Sequence, residues 1–89
     1  MDEKVFFRLS YETMLGGTED FVNACLERAN RSDCNDADAE IARARSAIEL
    51  WYHLAMAGHA PKDVADRDNL RFTEMLLRTP TAEERSWQP

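Results

Sequence analysis

The chain has 89 residues, 44% of them hydrophobic and 31% charged, which is enough apolar material for one small core and too little length for two. Seventeen acidic residues against 11 basic ones leave a net charge of −6, which excludes indiscriminate binding to DNA, RNA or an anionic membrane, since each of these needs positive charge. No apolar run approaches the roughly 18 residues of a membrane span.

The opening MDEKVFFRL places acids ahead of its apolar run and offers no small-residue cleavage site, so a secretory signal is not expected. With two cysteines and no disulfide framework, the expected setting is cytoplasmic with reduced thiols. From Met1 to Leu15, Phe7, Tyr11, Met14 and Leu15 follow helical spacing, Asp2 and Glu3 suit a helix start, and Gly16-Gly17 predicts its end. Val5, Phe7, Leu9 and Tyr11 also alternate as in a strand, but a lone strand here would have nothing to pair with. Thr18 then reads as the cap of a second helix with Phe21, Val22, Cys25, Leu26 and Ala29 on its inner face. Arg28 and Arg31 lie near its C-terminal end, where the helix dipole favours them, and SDCND reads as a polar loop.

The stretch Asp36 to Gly58 predicts the long central helix. Asp36 supplies an N-cap, Asp38 and Glu40 put negative charge at the positive end of the dipole, and seven alanines between positions 37 and 57 favour helix intrinsically. Gly58 is expected to end it in the left-handed conformation. Ile41, Ala44, Ile48, Trp51, Tyr52 and Ala55 form one packed seam, while Ala47, Leu50, Leu54 and Ala57 carry the apolar surface further round. Only Ser46, Glu49 and His53 are clearly polar, with Arg43 at their margin, so this helix must be covered on more than one side. Trp51 and Tyr52, about 100° apart, both read as core residues, one of them at the core's edge.

After a turn at His59-Ala60-Pro61, proline suits the first position of another helix. Val64, Leu70, Phe72, Met75, Leu76 and Leu77 supply its apolar positions, but the spacing breaks at Asp66 to Asp68. The expectation is either one irregular helix or a turn followed by a helix capped by Asp68. Thr81 with Glu84 three residues on is a capping box for a last short helix around 81–86, and Trp87 reads as packing the tail onto the body. The fold class expected is all-α: a single domain over residues 1–89, a small four- to five-helix bundle around the central helix at about 36–57.

Catalytic chemistry is sparse. There is no phosphate-binding glycine loop, HExxH or GxSxG. Cys25 and Cys34 are too far apart for a usual zinc pair, and His53 and His59 straddle a helix end. Cys25 reads as a small core residue, and Cys34 lies in a loop among carboxylates. The run DCNDADAE fails the calcium-loop pattern, because Ala37 and Asp38 stand where a ligand and a glycine are needed. No enzyme activity, cofactor or metal is therefore expected.

The expected function is that of a non-enzymatic acidic interaction protein, an inhibitor or adaptor docking on a larger protein with a basic surface, with no direct contact to nucleic acid or membrane. Asp33, Asp36, Asp38 and Glu40 form one candidate partner-binding set, and Asp63, Asp66 and Asp68 a second; the alternative for the first set is a solvated loop and helix start. In size, charge and helicity the chain is similar to small acidic phage-encoded inhibitors, anti-CRISPR proteins among them, with no shared motif to carry residue roles across. That likeness implies carboxylates standing in for phosphates on a target's nucleic-acid-binding surface. The alternative class is a self-assembling helical homodimer, with Leu50 and Leu54 covered by a second copy. A helix-turn-helix regulator ranks lower, because Asp36, Asp38 and Glu40 would repel the phosphates that Arg43 and Arg45 approach.

Overall fold

Three α-helices, and no strand, make up the regular structure of the computed structural model, which describes residues 8–31 and 33–78. The first, α1, spans Tyr11–Ala29. Its cap is Ser10, whose hydroxyl oxygen accepts the Thr13 N–H at 3.1 Å, with Glu12 in the first turn. It runs straight through Gly16-Gly17. Two interior glycines cost a helix about 1 kcal/mol each. Against that, Tyr11, Met14 and Leu15 before the pair and Val22, Cys25, Leu26 and Ala29 after it all pack on one core, and only an unbroken helix keeps them in phase. Thr18 is therefore no cap; its hydroxyl donates to the Met14 carbonyl at 2.9 Å in mid-helix. The two helices expected before residue 31 are one, so the described residues contain three helices rather than four or five. The start of the expected first helix, the 81–86 helix and Trp87 lie outside the described residues.

The central helix is as expected: α2 spans Ala37–Ala57, and Asp36 Oδ1 accepts the Ala39 N–H at 3.0 Å. Its end is shifted by one residue. Gly58 has φ −87°, and the left-handed residue is His59 at φ 63°. The His59 N–H donates to the Met56 carbonyl and the Ala60 N–H to the Ala55 carbonyl, closing the last turn as a Schellman motif. The third helix, α3, spans Lys62–Leu77 after Pro61, which has no N–H to leave unsatisfied. It is continuous through Asp66 to Asp68. Asp68 caps nothing; it is only 5% exposed, in the interior.

The helices run up, down and up. Arg28 near the end of α1 meets Glu40 near the start of α2 at 3.1 Å, while Tyr11 at the start of α1 lies against Trp51 near the end of α2. The turn at residues 58–61 folds α3 back along α2. Trp51, 1% exposed, is the centre: Phe72 meets its ring edge-on at 5.2 Å, and the Tyr11 and Tyr52 rings stand at 6.1 and 6.2 Å. Val22, Cys25, Ile41, Ala44, Ile48 and Leu76 extend that core away from the tryptophan. Tyr52 sits at the core's edge, half-buried.

Candidate functional site

The carboxylates of the two acidic sets differ in exposure and in the partners they meet. In the first, Asp33 pairs with Arg31 at 3.5 Å, Asp36 caps α2, and Glu40 turns toward α1 to meet Arg28, leaving Asp38 on the exposed side of the first turn. The Arg28–Glu40 pair is held by charge more than by an aligned hydrogen bond, since the approaching oxygen, Glu40 Oε1, has no donor in hydrogen-bond geometry among the described residues. In the second set, Asp63 is exposed in the first turn of α3, Asp66 accepts hydrogen bonds from Lys62 Nζ and Tyr52 Oη, both at 2.6 Å, and Asp68 is buried. Asp33, Asp36, Asp38 and Asp63 are exposed, while Asp36, Glu40, Asp66 and Asp68 also make contacts within the fold.

Asp68 anchors a polar seam between α1 and α3. Tyr11 Oη donates to its Oδ2 at 2.6 Å, Arg67 Nη2 stands 3.4 Å from the same oxygen, and Arg71 Nε is 3.8 Å from Oδ1. Arg71 also reaches Glu19 of α1 at 3.0 Å. Burial alone would push the Asp68 carboxyl up, but the Tyr11 hydroxyl and the two guanidinium groups outweigh it and hold the carboxyl below the usual range. The Tyr11 phenol moves the other way, to about 12, because burial and then the hydrogen bond and charge of Asp68 disfavour a phenolate. Asp66 is lowered by its hydrogen bonds from Lys62 and Tyr52, and Tyr52 is raised by the same bond to Asp66.

On the other side of the α1–α2 pair lies an open apolar surface. α3 packs mainly on α2 and reaches α1 through Tyr11–Asp68 and Arg71–Glu19; the α1–α2 furrow on the opposite side is a groove of about 990 Å³. Leu9 and Phe21 stand at its α1 rim and Leu50 and Leu54 at its α2 rim, all four exposed by 47% or more. Its floor is made of small residues, among them Gly17, Ala42 and Ala47. Arg43 is its one charged lining residue and has no partner among the described residues.

Half of this groove is legible in the sequence. Leu50 and Leu54 stand out as apolar surface beyond what one seam uses. The α1 half is not, because a break at Gly16-Gly17 destroys the phase that aligns Thr13, Gly17 and Phe21. Phe21, expected on the inner face, is 47% exposed on the groove rim. Among the described residues no group of three or more histidine, cysteine or acidic side chains is placed to hold a metal ion, and no helix is long and apolar enough to cross a membrane. Cys25 is buried, with Arg28 Nη2 at 3.5 Å from its sulfur. The chain matches no protein-family model, no curated protein and no solved structure.

Proposed function

We propose that this chain is a non-enzymatic helical interaction protein, of the adaptor or inhibitor kind, which works by docking on another protein chain through the α1–α2 groove. The observation that supports this reading is the groove itself: a furrow of about 990 Å³, lined by exposed leucines and a phenylalanine together with small residues, on the side of the α1–α2 pair away from α3. Apolar grooves between two helices take the apolar face of an incoming amphipathic helix, read at three- and four-residue spacing. The acidic sets support a lesser role. With Asp36, Glu40, Asp66 and Asp68 engaged in contacts within the fold, the net charge of −6 acts mainly by keeping the chain soluble.

Capture from the native host, with this chain tagged and an untagged copy co-expressed, tests the reading. The expected result is a stoichiometric companion retained by the wild type and lost with Leu50→Glu/Leu54→Glu. The same companion should persist with Asp36→Lys/Asp38→Lys and survive half-molar salt, since an apolar contact is little screened. Retention unaffected by the groove substitutions, but abolished by salt or by the lysine variant, would overturn the groove in favour of the carboxylates.

A further inference from the structure

We infer that the occupant of the α1–α2 groove is a second copy of this chain, seated groove on groove about a twofold axis with the two α2 helices antiparallel. The inference rests on the reading of the groove as a docking face and names what docks there. Three observations carry it. First, the groove-facing side of α2 is graded in size. Its N-terminal half presents Ala39, Ala42 and Ala47, and its C-terminal half presents Leu50 and Leu54. A twofold contact must be self-complementary, with one surface supplying both projections and hollows. Antiparallel α2 helices with Ser46 and Ala47 near the axis put Leu54 of one copy over Ala39 of the other and Leu50 over Ala42, twice. A parallel arrangement would set leucine on leucine and alanine on alanine.

Second, the charges are compatible. A chain with net charge −6 repels its own copy wherever acids face each other, yet no acidic side chain lines this groove. The one charge is Arg43, whose aliphatic stem covers Leu50 of the other copy while its guanidinium stays at the rim in water. Asp20, an exposed acid without a partner among the described residues, flanks Phe21 on the α1 rim and adds opposite charge to that margin. Third, the area is that of a weak, reversible dimer. About fifteen residues of α2 at ~1.5 Å each, beside α1 at the usual 8–10 Å separation, give a face of about 20 by 20 Å. Burying that face on both copies removes about 800 Å² of surface, the small end of interface sizes, where contacts are transient and form at high concentration. In such a dimer α1 and α2 of each copy form a four-helix core with the two α3 helices outside it, so each α2 is covered on both flanks, as its two apolar faces require.

Sedimentation equilibrium from about 2 to about 500 μM tests this. The expected result is a rise from the 10.2 kDa chain mass toward twice that value. Leu50→Glu/Leu54→Glu should weaken association at least 100-fold while leaving the far-ultraviolet circular dichroism unchanged. Leu77→Glu, on an exposed α3 position away from the groove, should leave association as in the wild type. In a Cys34→Ser background, Ser46→Cys near the axis should cross-link between copies on mild oxidation, and Glu49→Cys should not. A wild type that stays at 10.2 kDa throughout overturns the second copy, even if another protein still depends on the groove. So does a dimer that survives the glutamates, or one that cross-links through Glu49→Cys and not Ser46→Cys.

Discussion

The two flanks of the α1–α2 pair are covered in opposite ways. On one flank α3 packs against the pair, held by aromatic packing on Trp51 and by directional bonds: Tyr11 to Asp68, Tyr52 to Asp66, Arg71 to Glu19. On the other flank nothing from the described residues lies in the furrow, and its walls are leucine, alanine and phenylalanine with one arginine. The difference lies in how tightly each flank fixes its geometry. Hydrogen bonds and buried charge fix one geometry, because a polar group misplaced by an ångström loses its partner in a medium where replacement is costly. Apolar walls and a small-residue floor set shape alone, which suits a surface that must also exist uncovered.

The largest test of that contrast is Trp51→Ala. Removing the ring that Phe72, Tyr11 and Tyr52 surround should cost about 3–5 kcal/mol, enough to abolish a cooperative urea transition in a domain this small. A loss under about 1 kcal/mol would mean that the α3 flank carries no special share of the stability. Next is Asp68→Ala, which strands the Tyr11 hydroxyl and two guanidinium groups; about 2–3 kcal/mol should be lost, and less with Asp68→Asn, which keeps an acceptor.

The same seam sets the pH profile. The lowered folded-state pKa of Asp68 and Asp66 means that their stabilisation is present above about pH 4, the unfolded value, and is lost as pH falls through the folded one. Tyr11, raised to about 12, contributes stability that is complete below about pH 10 and disappears as pH climbs through 12. Urea midpoints should therefore be flat between about pH 5 and 9 and fall on both sides, and Tyr11→Phe should flatten the alkaline side.

Smaller effects separate the open flank from a covered one. A Cβ added at Gly16 or Gly17 meets nothing within 4 Å, so either alanine substitution should stabilise the isolated chain by about 0.5–1 kcal/mol, as measured by thermal unfolding at low concentration. At high concentration Gly17→Ala, which faces the groove, should lose that advantage while Gly16→Ala keeps it. His59→Gly should add up to about 1 kcal/mol by relieving the left-handed histidine. The smallest effect expected is that of Leu54→Ala, within about 0.5 kcal/mol for the monomer because the side chain is half in water already.

How much of this was legible differs by element for physical reasons. In α2 the cap, the alanine content and the apolar period all agree, and the helix is found where they place it. In α1 a local signal, the glycine pair, opposed a non-local one, the shared core stripe, and packing won. Asp68 shows the limit of reading along a chain: amid DVADRD it reads as a helix cap or a partner-binding carboxylate, and its meaning depends on a tyrosine 57 residues away. The groove was visible only as an excess, Leu50 and Leu54 left for a second copy in the homodimer alternative, because its second wall depends on a helix phase that a break at the glycines interrupts.

The phenol bonds have a practical consequence. The chain contains two tyrosines, and each donates its hydroxyl to an aspartate on α3 at 2.6 Å. Nitration by tetranitromethane requires a phenolate, and both phenols are held against ionising while those bonds last. Its rate, followed by the violet-blue absorbance of the yellow nitrophenolate without any attached label, is thus a built-in clock for how often the third helix lifts away.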